Sequence, residues 1–204
     1  GGQLRIARLG AGRQLIWTVV ENLTRRLRGQ DVEVLTEFEA TSESVLEASP
    51  DAIIVATGSF PHPRPVRGNY SAPAVLNVWQ ALQNPESVGQ RVMLVDENGH
   101  QQAIATAEFL ADCGHEVDIM TGEPFVGMEL AQTGDLYLSR QRLLGKSVRF
   151  LPDRVLLEID GKVMKVADKF TEEVSSVDGY DTIVLVMGNV PDDKLFKELK
   201  AIFP

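Results

Sequence analysis

The chain has 204 residues, 44% of them hydrophobic and 24% charged, so it can bury a sizeable core and has a globular composition. Its formal net charge of -9 disfavours nucleic acid as a partner, because phosphate backbones are bound by clustered Lys and Arg. Cys113 is the single cysteine, which excludes an internal disulfide, and no apolar run is long enough to span a bilayer. We therefore expect a cytoplasmic protein with no nucleic-acid or membrane partner, in which Cys113 is a small core residue.

The first third of the chain predicts a helix, two strands and a connector. Apolar residues recur at helical spacing over 13–27, which indicates a surface-packed helix. Segment 31–41, "DVEVLTEFEAT", alternates like a strand, and the apolar run 52–56 is typical of a strand buried on both faces. The proline-rich segment 60–68, "FPHPRPVRG", then predicts a connector.

The middle of the chain predicts a strand, helix and strand that together form a parallel βαβ unit, over 89–95, 101–113 and 115–121. Gly114 is the expected end of the helix. Beyond it we predict a helix, three short strands, a buried strand and a closing helix, over 133–144, 147–151, 154–160, 162–168, 180–187 and 193–203. Asp160-Gly161 is the expected hairpin turn between the last two short strands.

The turn inside the βαβ unit, "DENGHQQA" over 96–103, stands where a dinucleotide-binding fingerprint belongs. Such a turn needs glycines for tightness, for backbone approach to the pyrophosphate and for helix packing. Only Gly99 is present, and Asp96 and Glu97 add carboxylates that repel phosphates. The sequence therefore predicts a degenerate NAD(P) loop. The free N–H groups of the helix start leave a binding role open for Gly99, His100 and Gln101, with His100 alternatively an ordinary surface histidine.

Four stretches occur in an order that resembles one family: "GGQL" (1–4), "DAIIVATGSFP" (51–61), "GHEVDIMTGEPFVGMEL" (114–130) and "DTIVLVMGNVPDDKLFKELK" (181–200). They resemble the C-terminal FAD/NAD(P)-binding region of the trimethylamine dehydrogenase and 2,4-dienoyl-CoA reductase-like NADH:flavin oxidoreductases, two-dinucleotide-fold flavoproteins. The resemblance implies an α/β, Rossmann-like three-layer fold. It divides the chain into a partial FAD-type domain, 1–67 completed by 188–204, a connector, 68–87, and an inserted NAD(P)-type domain, 88–187.

The resemblance also implies a function for a longer parent, of which we expect this chain to be a fragment because it starts without methionine. The parent would be a flavin-dependent dehydrogenase or reductase whose small-molecule substrate the sequence leaves open. FAD or ADP would lie beside residues that match family positions: Gly2, Gln3, Leu4, Thr57, Gly58, Ser59 and Gly188. FMN and a 4Fe-4S cluster would belong to an upstream (β/α)8 barrel, the expected partner within the same chain.

Within these residues we expect neither catalytic nor metal-binding side chains, so the fragment alone would be inactive. Two alternatives remain at this point. One is a non-catalytic docking or scaffold module that has lost nucleotide binding, and the other is a complete small NAD-binding regulator. Assembly into a homo-oligomer is also left open.

Overall fold

The computed structural model describes residues 2–63, 66–71 and 74–203; Gly1 and parts of the proline-rich segment lie outside this range. The helices are α1 (Gln3–Ala7), α2 (Trp17–Arg28), α3 (Ser42–Glu47), α4 (Val78–Gln83), α5 (Gln101–Asp112), α6 (Leu136–Gly145) and α7 (Lys194–Ile202). Short 3-10 turns lie at Gln14–Ile16, Pro85–Ser87 and Met128–Ala131. The strands are β1 (Ser59–Pro61), β2 (Arg67–Asn69), β3 (Val75–Asn77), β4 (Arg91–Asp96), β5 (Glu116–Thr121), β6 (Arg149–Leu151), β7 (Arg154–Asp160), β8 (Val163–Asp168), β9 (Val174–Val177), β10 (Thr182–Val186) and β11 (Asn189–Pro191).

A five-stranded parallel sheet forms the centre of the fold, in the order β3-β10-β4-β5-β6. Strands β4 and β10 lie inside this sheet, and their continuous apolar sequences suit burial on both faces. One face of the sheet is covered by α4, α5 and α6, and the other by a second sheet. The result is a three-layer α/β architecture, as expected from the sequence.

The second sheet has four strands in the order β2-β7-β8-β9. Its inner side contributes Leu156, Ile159, Met164 and Val166 to a core shared with Met93 and Ile183 of the parallel sheet, among other residues. Strands β7 and β8 form the predicted hairpin, and Gly161 supplies its positive φ of 60°. This sheet closes the third layer.

Most of the predicted helices and strands are confirmed, since α2, β4, α5, β5, α6, β6, β7, β8, β10 and α7 lie in the expected segments. Gly114, with φ 94°, follows the last turn of α5 as predicted. Cys113 was predicted to be a core residue and is instead exposed, because it lies at the solvent side of that helix end.

The predicted strands at 31–41 and 52–56 are wrong. Both segments are extended chain without strand pairing to any described residue, and Ile54 is 93% exposed. An apolar sequence becomes a buried strand only when a neighbouring strand accepts its backbone hydrogen bonds. No such neighbour lies in the part of the chain that the structure describes.

Residues 68–87, predicted to be a connector, contain part of the core instead of a simple link. Strand β3 is the edge of the parallel sheet, and α4 buries Val78, Ala81 and Leu82. Asn77 begins α4 with a capping box, because its side chain accepts the Gln80 N–H at 3.0 Å and Gln80 reciprocates at 2.9 Å.

The first sixty residues contact the layered core through α1 and through a two-stranded ribbon. In the ribbon, β1 pairs antiparallel with β11, so that Ser59 lies opposite Pro191 and Pro61 opposite Asn189. Beyond α1, the Ala11 N–H donates to the Ala105 carbonyl of α5 at 3.1 Å. Gly10 permits this approach, because a Cβ there would lie 3.0 Å from the Ala105 Cβ. No helix among the described residues is long and apolar enough to cross a membrane.

Candidate nucleotide-binding site

The turn after β4 is built around the carboxylate of Asp96. This side chain is fully buried, and its Oδ1 accepts the backbone N–H groups of Asn98 and Gly99, each at 3.0 Å. Gly99 has a φ of 64°, which only glycine adopts without strain. The loop therefore closes on its own side chain, using N–H groups that a glycine fingerprint would offer to phosphate.

The electrostatics of this turn oppose a second anion. Asp96 Oδ2 is buried without a hydrogen-bond partner among the described residues. Burial raises the pKa of Asp96 to about 6, and the nearby Glu123 carboxylate adds to the rise. Burial also raises the pKa of Glu97. A pyrophosphate entering here would meet two carboxylates and a loop whose donors are already used, so these residues do not fit NAD(P).

The remaining predicted residues of this loop lie at the start of α5. His100 is exposed, occupies the N-cap position and makes no side-chain cap hydrogen bond, and Gln101 is the first residue of the helix. Gln101 lines a cavity of about 240 Å³ together with Gln3, Trp79 and Asn189. The loop thus faces the first part of the chain at Gln101.

A small cavity of about 210 Å³ lies beside Asp96, at the carboxyl ends of β4 and β5. Its two cations are already engaged, since Lys169 Nζ donates to the Gly122 carbonyl at 2.6 Å and Arg154 pairs with Asp168 at 3.5 Å. Neither is positioned by a free carboxylate partner to compensate a bound phosphate.

A larger cleft, of about 660 Å³, brings together six of the residues predicted to bind a nucleotide: Gly2, Gln3, Leu4, Thr57, Gly58 and Ser59. Gln3 Nε2 donates to Ser59 Oγ at 2.8 Å and to the Ser59 carbonyl at 3.1 Å. Asn189 Nδ2 donates to the same hydroxyl oxygen at 3.2 Å. Because both donors use the lone pairs of Ser59 Oγ, its O–H group is left to donate to a ligand.

Thr57 and Gly58 hold the wall of this large cleft. Thr57 Oγ1 donates to the Asp192 carbonyl, and the Asp192 N–H donates to the Gly58 carbonyl at 2.9 Å. Gly58 needs its positive φ of 84° to make this turn. These two residues therefore join the segment before β1 to the segment after β11.

Gly188 lies apart from the large cleft. Its carbonyl accepts the His62 N–H at 3.3 Å, and it lines a different cavity of about 330 Å³ with Tyr70 and Asn77. The predicted residues thus divide among four places: the large cleft, the Asp96 turn, the cavity beside Gln101 and the cavity beside Gly188.

Three residues at the large cleft were not foreseen: Arg5, Trp79 and Asn189. Arg5 and Trp79 line it, and Asn189 reaches it through its hydrogen bond to Ser59. Arg5 supplies a cation and Trp79 an aromatic surface, which are the groups that receive phosphates and flat rings. The basic residue directly after "GGQL" was a usable signal for Arg5, whereas Asn189 lies 130 residues from Ser59 in sequence.

Comparison with known proteins places this geometry in a family, although no family model matches the chain. The chain is 28% identical to the probable N-methylproline demethylase of Rhizobium meliloti and 25% identical to the N,N-dimethylglycine/sarcosine dehydrogenase of Chromohalobacter salexigens. Each match covers 98% of this chain and 30% of the relative. The histamine dehydrogenase of Rhizobium sp. 4-9 shares the fold, with a TM-score of 0.88 and 22% identity over 100% of this chain and 33% of its own.

These relatives are trimethylamine dehydrogenase and 2,4-dienoyl-CoA reductase-like flavoproteins. The chain is related to that group. Its relatives are oxidoreductases, and this chain spans about a third of their length or less. The predicted resemblance and the Rossmann-like fold are thereby confirmed.

Proposed function

We propose that this chain is the nucleotide-binding region of a longer flavin-dependent oxidoreductase, and that the large cleft holds the ADP portion of FAD or free ADP. The observation that carries the proposal is the convergence of Gln3, Ser59 and Asn189 on one hydroxyl group beside Arg5. These groups fit a phosphate-bearing ligand, because the Ser59 O–H is free to donate and the Arg5 guanidinium opposes negative charge.

FAD, when bound, would supply the redox chemistry of the parent enzyme. The residues of this chain would do the holding. Gln3 and Asn189 fix the orientation of the Ser59 hydroxyl, and Gly58 keeps the cleft wall close to the ligand. Trp79 offers a ring face for a flat group. No catalytic residue is proposed here, and the isolated chain would be inactive.

The NAD(P)-type half would keep its fold without binding a nicotinamide nucleotide. This part of the proposal is supported by the buried carboxylate of Asp96, which uses the N–H groups that a phosphate would need. The division into a partial FAD-type domain, 1–67 with 188–204, and an inserted domain, 88–187, remains part of the proposal.

The rest of the parent would carry FMN, a 4Fe-4S cluster and the small-molecule substrate site in a (β/α)8 barrel. Among the described residues no group of three or more metal-binding side chains occurs, so the proposal places the cluster ligands elsewhere in the parent. Electrons would then pass among flavin, cluster and substrate or acceptor outside these residues.

Calorimetric titration of the complete gene product with ADP, FAD and NADH tests the proposal. We expect ADP or FAD to bind, with an affinity that falls about tenfold in Arg5→Ala and in Ser59→Ala, since a charge-assisted hydrogen bond contributes about 1.5–3 kcal/mol. Arg25→Ala, which removes an exposed cation from α2, is the matched control and should bind normally. Micromolar NADH binding would contradict the degenerate loop.

The second candidate is a docking or scaffold module that has lost every nucleotide site. The self-closed Asp96 turn favours it, because one site of the fold is already blocked. It predicts that the complete gene product binds neither ADP nor FAD, so the same titration separates the two candidates.

A further inference from the structure

A long part of the first half of the chain contributes nothing to the described core. From Ala11 to Ala74 no described residue is buried, although this stretch is rich in large apolar side chains. The exposed ones include Leu15 (80%), Val19 (50%), Leu23 (54%), Leu27 (43%), Ile53 (37%) and Ile54 (93%). Isolated exposed apolar residues are ordinary, but a contiguous set marks an interaction surface.

Helix α2 shows the pattern most plainly. Val19, Leu23 and Leu27 recur every four residues, so they form one stripe along the helix, and Leu15 extends it by a turn. A stripe of this kind normally faces a core. Here it faces no described residue closely enough to be buried.

The extended run Ala52 to Ala56 lacks a partner in another way. Its backbone makes no hydrogen bond with any described residue. A groove of about 460 Å³ lies between this run and α7, lined by Ile53, Val55, Phe196 and Phe203. An apolar extended segment with unsatisfied backbone groups and a groove beside it is a template for strand addition.

We propose that this surface, the open face formed by the α2 stripe and the 52–56 run, is covered by a segment of the same polypeptide that lies outside residues 1–204. That segment supplies at least one apolar β-strand, which pairs with the backbone of 52–56. A strand is required because only a strand satisfies the backbone N–H and C=O groups of an extended run. It must be apolar because the groove and the stripe are apolar.

The length of the relatives argues that the occupant belongs to the same polypeptide. The matched relatives carry about 70% of their length outside the match, and the histamine dehydrogenase fold contains this whole chain within 33% of its own. This inference rests on the proposed function only in taking the parent to be of similar length. It concerns packing and not nucleotide binding, so each can fail alone.

Hydrogen exchange measured residue by residue tests the open face. We expect the amides of 52–56 to exchange at close to the free-chain rate in the 204-residue chain. In the complete gene product they should exchange at least about 100-fold more slowly, as in a paired strand. The amides of β4 and β10 should be protected in both samples.

Three results would overturn the inference. One is protection of 52–56 in the monomeric 204-residue chain, and another is equal exchange in both samples. The third is dimerisation of the 204-residue chain in analytical ultracentrifugation with protection of 52–56, which would make a second copy the occupant. A complete reading frame that adds no residues to these 204 would overturn it as well.

A variant pair ties the protection to the open face. Ile54→Asp, placed in the complete gene product, should abolish the protection of 52–56 while β4 and β10 remain protected. Phe170→Asp is the matched control, because Phe170 is 74% exposed on the turn before β9, and it should leave the protection intact. Normal protection in Ile54→Asp would contradict strand pairing. Lost ADP binding with protection retained would contradict the proposed function alone.

Discussion

At the scale of single residues, the carboxylate of Asp96 determines how the turn after β4 is built. It organises the loop through two N–H groups while its second oxygen has no partner among the described residues. A buried group of this kind costs stability when ionised, because protein cannot solvate the charge as water does.

The first prediction follows from this burial. The pKa of Asp96 is about 6, above its ordinary 3.8, so between these values the folded protein keeps a proton that the unfolded chain has lost. The free energy of unfolding should therefore fall as the pH rises from about 4 to 6, by up to about 3 kcal/mol. Asp96→Asn should remove this fall. Urea denaturation at several pH values measures it.

Glu86→Gln controls for charge removal as such, because Glu86 is exposed, and its pH dependence should match that of the unmodified chain. The same slope in Asp96→Asn would refute the assignment to Asp96.

The second prediction concerns another buried carboxylate, Asp118, in the parallel sheet. Arg149 Nε donates to its Oδ1 at 2.7 Å, and the Tyr180 hydroxyl donates to its Oδ2. Arg149→Met removes the cation and should lower the free energy of unfolding by about 2 kcal/mol. Lys165→Met breaks the exposed pair with Glu158 and should cost less than about 1 kcal/mol. Equal losses in urea denaturation would show that burial of Asp118 is unimportant.

The residue scale also shows which parts of the site could be predicted from sequence. Gly2, Gln3, Thr57, Gly58 and Ser59 came from motif resemblance, and the structure places them in one cleft. Asn189 could not be foreseen, because nothing local distinguishes an asparagine that crosses to Ser59 from one in an ordinary turn. The occupied N–H groups of the Asp96 turn were also beyond the sequence, which indicated only two unfavourable charges.

At the scale of elements, local periodicity was sufficient where an element carries its own neighbours. The βαβ unit of β4, α5 and β5 folds as predicted because each piece buries against the others. The 52–56 run has the same apolar character as β10, yet it is exposed. What differs is the availability of adjacent strands, which the sequence of the run itself does not encode.

The third prediction addresses the close approach of β2 to β7. Gly68 has a φ of 123°, and a Cβ there would lie 1.8 Å from the Ile159 carbonyl oxygen. Gly68→Ala should detach β2 and lower the free energy of unfolding by about 2 kcal/mol or more. Gly161→Ala shares the positive φ but meets no atom within 4 Å, so it should cost only about 1 kcal/mol. Thermal or urea denaturation of both variants compares clash with backbone strain.

At the scale of the whole molecule, packing is unevenly distributed. The layered core between Val75 and Met187 holds nearly all of the buried side chains, whereas α2 and the segments around it hold none. Regions with few buried contacts open at low free energy. Stability should therefore be low before Val75 and high after it.

The fourth prediction makes this difference measurable. Brief trypsin treatment of the 204-residue chain should first cut after Arg25, Arg26 or Arg28, which are exposed at the end of α2. A product that contains 75–203 should persist. Mass spectrometry of the early products identifies the bonds. A first cut between β4 and β10 would contradict the expected order of stability.

The ribbon of β1 and β11 has a consequence for how such a chain can change over evolutionary time. Pro61 and Asn189 face each other as strand partners, so the chain enters and leaves the 127 intervening residues at neighbouring points. Strand partners lie about 5 Å apart, a gap that a two-residue hairpin turn closes. The layered core could thus be excised or exchanged as a cassette by a single recombination across the ribbon, leaving the cleft wall at Ser59 in place.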